Sequence, residues 1–283
     1  MTSNNILHEN ILPSEYTNVN FCTYIDNGTY TPSHWHRAIE LVYMLEGKVL
    51  RTVEGKTWAI SVGRCLLTNS NVVHSDRSME YSRYILLHIP LDFLEKFIPD
   101  ARYVRFKLDF NETNATQIKQ INMVKKMLTA MKSLQDKKEK GYLLKFNSIL
   151  FDLLHLLYTN FSTKSFQAEL KPQQKDFDRL DKVLQYIMKN YSRPISLEEI
   201  SGVLVFRPEY FCRFFKKYMG ITFLEYQNEL RLSFIYRDII ETTEPIGRIL
   251  EKHGFTNYKI FRRMFNEHFG TTPMKIRQQH SAK

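Results

Sequence analysis

The chain has 283 residues, with 40 Lys and Arg against 30 Asp and Glu, a formal net charge of +10. Hydrophobic residues make up 43% of it, enough for buried cores, so wholesale disorder is excluded. At roughly 100–200 residues per domain the length favours two domains, and the basic balance favours an anionic partner, nucleic acid first. The three cysteines, Cys22, Cys65 and Cys212, are far apart and form no C-x-x-C, which argues against a disulfide framework or a zinc knuckle. The opening MTSNNILHENILPSEY lacks a basic segment followed by an apolar run, so no secretory leader is expected. The most apolar helix-like run, Ile149 to Tyr158, contains Asp152 and His155 and is too short to span a bilayer. A cytoplasmic protein is the expectation.

Residues 1–108 are rich in Val, Ile, Tyr and Thr. ELVYMLEG, KVLRTVEG, KTWAISVG and RYILLHIPL are short β-like runs separated by Gly or polar punctuation. Here the spacing Gly28-x5-His34-x-His36-x3-Glu40-x6-Gly47 stands out. Alternate residues of an extended strand share a face, so His34, His36 and Glu40 can point the same way, and His74 on a later strand can join them. Three imidazoles and a carboxylate suit Zn, Ni, Fe or Mn. The same groups can equally line an effector pocket or form structural hydrogen bonds without metal. His88 reads as a core or edge histidine.

Residues 109–161 change period. Ile118, Ile121, Val124, Met127, Leu128 and Met131 recur at helical spacing, and a second helix follows over Tyr142 to Phe161. The second helix carries more apolar residues than one narrow stripe needs. That predicts packing on the first domain and on a partner chain, a dimer, against the alternative of burial within one chain. Residues 162–175, STKSFQAELKPQQK, are polar with a Pro and read as a linker.

Residues 176–283 read as helical and hold 18 basic against 13 acidic residues, net +5. They contain a repeat. Phe211, Arg213, Phe215, Gly220 and Thr222 recur fifty positions on as Phe261, Arg263, Phe265, Gly270 and Thr272, which means two copies of one unit. In the first, Ser196-x-x-Glu199 is a capping box, Pro208 suits the first turn of the next helix, and Gly220 stops it. In the second, Pro245 precedes a helix, Gly254 gives the turn, Thr256 is the expected cap, and Gly270 ends the following helix. Short helix, turn, longer helix is the helix-turn-helix arrangement. Between the copies, Phe223 to Glu241 has no Gly or Pro and forms a predicted helix of roughly 30 Å. One turn of B-DNA is about 34 Å, so such a spacer can set two recognition helices in successive major-groove segments.

The stretch EKHGFTNYKIFRRMFNEHFGTTPMKIR, with RPEYFCRFFKKYMGITFLEY before it, resembles the DNA-binding domain of the AraC/XylS family of transcription regulators. The resemblance covers about residues 178–279. It implies DNA contacts from Glu209, Cys212 and Arg213 in the first unit and from Tyr258, Lys259, Arg262 and Arg263 in the second. Arg207, Lys216, Lys217 and Lys259 suit phosphate contacts, whereas Arg reads guanine edges. The alternative for each is a solvated basic helix face. Phe211, Phe215, Phe261 and Phe265 read as core. Arg207 stands where the family usually has a capping Ser, Leu250 and Ile235 replace small residues, and Asn266 and Glu267 replace a basic pair.

The His34–Gly47 spacing is similar to the first cupin motif, and Gly63 to His74 to part of the second. The implied architecture is α+β and multidomain. A cupin-like jelly-roll β-barrel (1–108), a helical dimerisation pair (109–161) and a linker precede an all-α domain with two helix-turn-helix motifs. The resemblance implies a small-molecule effector, commonly a sugar or related metabolite, in the barrel, near His34, His36, Glu40, Tyr43 and His74. Trp35, Tyr43 and Trp58 are candidates to stack on a sugar ring, with ordinary packing as the alternative. Metal at His34, His36, Glu40 and His74 is allowed and not required. The expected protein is therefore a DNA-binding regulator, an activator by family habit, with RNA polymerase and a second copy as partners and no enzymatic role. A cupin metalloenzyme joined to a DNA-binding domain is the rival, and a barrel serving only assembly is the third reading.

Overall fold

A computed structural model describes residues 14–53, 55–78, 81–108, 114–164 and 167–281; the side chains of 167–174 and 281 fall outside that description. The expected starts of the first domain (residue 1) and of the helical pair (residue 109) therefore lie outside the described residues. The strands are β1 (Asn20–Asn27), β2 (Tyr30–His34), β3 (Ala38–Glu46), β4 (Lys48–Val53), β5 (Lys56–Ser61), β6 (Cys65–Thr68), β7 (His74–Ser78) and β8 (Tyr81–Pro90). They pair antiparallel into two four-stranded sheets, β1-β8-β3-β6 and β2-β7-β4-β5.

Strict alternation sorts their side chains. On β3, Ile39, Leu41 and Tyr43 join one apolar cluster, whereas Val42 and Met44 join another. On β8, Ile85, Leu87 and Ile89 go with the first, Tyr84 and Leu86 with the second. The second cluster fills one part of the space between the sheets with Val42, Met44, Val49, Ile60, Leu66, Tyr84 and Leu86. Gly47 closes the β3–β4 turn at φ +74°, and a Cβ there would lie 2.3 Å from the Tyr81 carbonyl oxygen, so only glycine fits.

A helical layer covers the outer face of the first sheet. It comprises α1 (Leu91–Leu94), a 3-10 turn at Ala101–Tyr103, β9 (Val104–Phe106), α2 (Ala115–Lys137) and α3 (Tyr142–Phe161). Val124, Leu128 and Met131 of α2 and Phe146, Leu150, Leu153 and Leu157 of α3 pack there with Ile39, Leu41 and Leu87. Most of the apolar surplus of α3 is therefore spent inside this chain. Leu144 and Phe151 remain exposed, Phe151 beside the exposed Phe97 with ring centroids 4.9 Å apart.

The segment expected as a linker is ordered differently. β10 (Ser162–Lys164) pairs with β9, and α4 (Gln167–Asn190) already begins at residue 167. Polar composition with one Pro suggested a loop. Gln, Ala, Glu, Leu and Lys are good helix formers, however, and Phe177, Leu180, Val183, Leu184 and Ile187 anchor the remainder of that helix in a core.

The rest is α5 (Leu197–Gly202), α6 (Pro208–Met219), α7 (Phe223–Glu241), α8 (Ile246–Lys252), α9 (Tyr258–Phe269) and α10 (Pro273–Ser281). Both units have the expected helix-turn-helix order, and Phe211, Phe215, Phe261 and Phe265 are fully buried. The caps differ in detail. Ser196 accepts from the Glu199 N–H, and the Glu199 carboxylate also bonds Arg193 and Tyr186. A full capping box starts α7, Thr222 with Glu225. Asn257, not Thr256, caps α9, its side chain accepting from the Lys259 and Ile260 N–H groups, because it sits immediately before the first helical residue.

The two domains are joined through β2 and the extended residues that follow it. Tyr30 enters the core of the second unit, its ring 4.1 Å from His268 and 6.1 Å from Phe269 by centroid. Trp35 enters the core of the first unit, 4.8 Å from Phe177. Between them Ser33 donates to Glu229 of α7 (3.4 Å). At the edges Arg37 pairs with Asp178, Arg77 donates to the His268 carbonyl, and His280 Nε2 lies 2.8 Å from the Asn27 carbonyl.

Candidate nucleic-acid interface and histidine cluster

The sequence places four expected side chains early on α6 or just before it, and the structure leaves all of them exposed. Arg207, Glu209, Cys212 and Arg213 face outward, with Lys216 and Lys217 one turn further on. Arg207 is the N-cap of α6 and its side chain makes no capping bond, as its place in the sequence suggested. On α9, Tyr258, Lys259, Arg262 and Arg263 are likewise exposed. The buried phenylalanines at i and i+4 on each helix fix this: with one face committed to the core, the residues between must point out. Arg263 has only a long contact to Glu267 (3.9 Å) between two exposed side chains, which holds it weakly. Tyr210 is also exposed on α6.

The second site lies between the sheets. His34, His36, Glu40, His74 and His88 are all at most 4% exposed. His34, His36 and His74 each place Nδ1 within 3.0 Å of a main-chain carbonyl, of Pro32, Ala38 and Val72. A nitrogen facing a carbonyl must carry the proton, so a neutral ring there leaves Nε2 as a lone pair. Those Nε2 atoms converge. His36 Nε2 lies 2.9 Å and His74 Nε2 3.3 Å from Glu40 Oε2, the latter without hydrogen-bond geometry. One ligand atom each from His34, His36 and His74 lie within 4.8 Å of one another. Lone pairs facing a carboxylate at such distances need a cation between them, a shared proton or a metal ion.

His88 plays a different part. Its Nδ1 faces the Asn20 amide at 3.3 Å, so its Nε2–H is free to donate to Glu40 Oε2 at 3.0 Å. It orients the carboxylate. Strand register puts it there, since His88 is the β8 residue opposite Glu40 of β3. The period-2 pattern of RYILLHIPL carried that signal, His88 sharing the parity of inward Tyr84 and Leu86.

Arg51 is the other residue the sequence reading missed. It is buried, pairs with the second oxygen of Glu40, donates twice to Asp76 at 2.7 Å, and donates to Thr68 at 3.1 Å. Burial alone would raise the Glu40 carboxyl; Arg51 and the imidazoles more than offset it, so its pKa falls well below the usual range. Burial pulls His36 down to about 4 against the pull of Glu40, and lowers His34 strongly, helped by His74 and His36. Imidazoles beside a carboxylate, each with its far nitrogen fixed by a carbonyl, are the donor set and outer shell that divalent metals use. The residues present fit such an ion.

Tyr43 does not belong to this site. It is on the opposite face of β3 from Glu40 and packs against the helical layer, because one residue's offset in a strand reverses the side. Trp35 is committed to the domain contact with Phe177, and Trp58 lies partly exposed on β5.

With the geometry in place, the relationships are direct. Residues 201–279 match the helix-turn-helix domain model of the AraC type, and residues 21–86 match the cupin domain model. MarA of Salmonella typhimurium, a multiple antibiotic resistance protein, is 30% identical over 95 residues, 34% of this chain and 75% of its own length. YdeC of Bacillus subtilis, an HTH-type transcriptional regulator, is 24% identical over 264 residues, 89% of this chain and 88% of its own. The chain spans about half of AdaA of Bacillus subtilis, a transcriptional activator and DNA repair enzyme, 32% identical over 103 residues (36% of this chain and 49% of AdaA). Among solved structures, ToxT of Vibrio cholerae shares the fold, at TM-score 0.51 and 13% identity over 92% of this chain and 98% of its own. The chain belongs to the AraC family of DNA-binding transcription regulators and carries an N-terminal cupin domain. No helix among the described residues is long and apolar enough to cross a membrane.

Proposed function

We propose that the chain regulates transcription in response to a small-molecule effector, a sugar or related metabolite, sensed by the cupin domain. It acts as an activator that contacts RNA polymerase and works as a homodimer. The observation that carries this reading is the short stretch of β2 and Trp35 just after it, which presents one domain to both helix-turn-helix units at once, through Tyr30 and Trp35. Any change in how β2 sits alters the placement of α6 relative to α9, and with it the fit to successive groove segments. Lys216, Arg213, Arg262 and Arg263 supply the charge and edge recognition, and Arg207 and Lys259 position the phosphates. The exposed Leu144, Phe97 and Phe151 suit a contact with a second copy; a strictly monomeric protein at micromolar concentration would remove the dimer.

His34, His36, His74 and Glu40 would hold a divalent ion, and when bound it supplies the positive charge that their lone pairs face. In this reading its role is to fix the strand ends around the cluster. The rival metalloenzyme needs an open coordination position reached by substrate, and Arg51 already pairs with Glu40. The test is Arg263→Ala, assayed by titration against a selected site and against random DNA. Specific binding should fall by about tenfold or more, equivalent to about 1–3 kcal/mol, with little change on random DNA. Equal loss on both would make Arg263 a phosphate contact.

A further inference from the structure

The two helix-turn-helix units share α7 but not an apolar core. Leu230 belongs to the cluster of the first unit, and Leu232, two residues on, to the cluster of the second. Where the units meet they are joined by polar contacts, around residues 191–193 between α4 and α5. Gln227 and Arg231, one turn apart on α7 and both buried, donate side by side to the main chain of this loop. Gln227 Nε2 lies 3.2 Å from the Tyr191 carbonyl and 3.0 Å from that of Arg193, and Arg231 reaches the same two at 2.7 and 2.9 Å. The carbonyl between them, of Ser192, faces the turn of the second unit, where a Cβ at Gly254 would lie 1.9 Å from its oxygen. The Arg231 guanidinium also lies over Phe255, 5.9 Å from the ring centroid.

Side chains complete this joint. Tyr191 stacks on Phe234 of α7 at 4.6 Å, and its hydroxyl lies 2.9 Å from Nδ1 of His253, the residue before Gly254. His253 Nε2 lies 2.8 Å from Asp238 Oδ2. A carboxylate only accepts, so Nε2 carries the proton. Burial lowers the imidazole pKa and keeps the ring neutral at pH 7, which leaves Nδ1 to accept from the Tyr191 hydroxyl. A directed chain of hydrogen bonds therefore runs from the loop of the first unit, through the turn of the second, to the helix they share. Arg193 ties the loop back to the first unit by donating to Glu199 of α5 at 3.0 Å.

We propose that this polar joint sets the spacing of the DNA half-sites the protein accepts, with Tyr191, Gln227, Arg231 and His253 as positioning residues that fix α9 relative to α6. The length of α7 sets the distance between the units, whereas the joint sets their rotation about that helix. Hydrogen bonds of about 2.7–3.2 Å weaken within a few tenths of an ångström of stretch. One extra base pair between half-sites displaces the second by about 3.4 Å and turns it by about 35°. Either the duplex is distorted or the joint breaks. Tyr30 and Trp35 hold the two units from the side of the β-domain, so a displacement of that domain works against the joint. The joint itself lies wholly within the helical domain and acts on DNA binding with or without an effector.

The test uses the full-length protein. A site is selected from random duplexes, and one base pair is then inserted between its two recognised blocks. The wild type should bind the lengthened site at least about tenfold more weakly than the selected one. Tyr191→Phe removes one hydroxyl and keeps the ring, and should cut that ratio about threefold by weakening the selected site alone. Arg231→Met removes both carbonyl contacts and should bring the ratio below about threefold. Binding to a duplex that keeps only one block should be unchanged in both variants, which reports that each unit is folded. If Arg231→Met fails that control, Tyr191→Phe decides alone. A wild type indifferent to the insertion, an unchanged ratio in Tyr191→Phe, or an equal loss on selected, lengthened and single-block duplexes overturns the proposal.

Discussion

Trp35→Ala separates the domains if the β2 contact is what unites them. Trp35 is fully buried and lies 4.8 Å from Phe177 within the core of the first helix-turn-helix unit, although it belongs to the chain of the cupin domain. A buried Trp removes about 150–250 Å² from water, worth about 4–6 kcal/mol at roughly 25 cal/mol per Å². Large-to-small substitutions at such sites cost about 3–5 kcal/mol. The polar links at the edges are smaller. Arg37–Asp178 is a half-exposed pair worth about 0–1 kcal/mol, and the His280 bond to the Asn27 carbonyl about 1 kcal/mol. Loss of about 3–5 kcal/mol from docking lowers the docked-to-undocked ratio by a factor of about 10² to 10³·⁵. Calorimetry of the whole chain should show one transition for the wild type and two for Trp35→Ala, and small-angle scattering should report a larger radius of gyration. Trp58→Ala, on the partly exposed β5, is the control and should change neither. A single transition for Trp35→Ala, lowered by no more than the about 2–4 °C that 1 kcal/mol produces, would refute the reasoning.

Three further outcomes follow from local geometry. Val205 sits 93% exposed at φ +56°, the repeat position of Gly254 in the second unit, and a β-branched residue is strained there, so Val205→Gly should stabilise by about 1 kcal/mol in chemical denaturation. The reverse change, Gly254→Val, should prevent folding of the second unit, because a Cβ would lie 1.9 Å from the Ser192 carbonyl oxygen. Arg207→Ser restores a side-chain cap to α6 and should stabilise by about 1 kcal/mol while weakening binding equally on specific and random DNA; equilibrium unfolding and filter binding read the two effects. Burial, assisted by Arg77, holds His268 down at about 4 where it meets Tyr30. The undocked chain therefore binds more protons between pH 4 and 6.5, so docking strength should rise with pH through that window and level off above 6.5. His268→Phe should flatten the profile, measured as the melting temperature of the whole chain between pH 4 and 7.

The helical half was legible because its signals are local. Repeated Phe at i and i+4, Gly at each helix end and Pro at the first turn of α6 fix elements within a dozen residues, and exposure of Arg213 and Arg263 follows from the buried phenylalanines beside them. The β-domain was legible in outline and misread at particular residues, since strand partners are distant in sequence. His88 joins Glu40 across a register of 48 residues, and Arg51 reaches Asp76 across 25. No spacing rule contains those pairings, and a one-residue offset put Tyr43 on the wrong face. Linker composition failed for a related reason: a polar sequence becomes helix when its continuation is anchored, as α4 is by Phe177 and Leu180.

The sharpest case is His34-Trp35-His36. The H-x-H spacing announces two side chains on one face and leaves the middle residue unexamined. In the folded chain that middle residue is the plug between domains, its indole packed on Phe177 while the imidazoles on either side lie buried in the cluster. The backbone of residues 34–36 is thus held from both sides, by Nδ1 bonds to Pro32 and Ala38 within the cluster and by the core of the first unit without. A shift of the imidazoles by even a fraction of an ångström has to be absorbed by the indole or by the unit it anchors, since packed cores are bistable rather than continuously deformable. The histidine cluster and the first helix-turn-helix unit are therefore joined by covalent geometry across three residues.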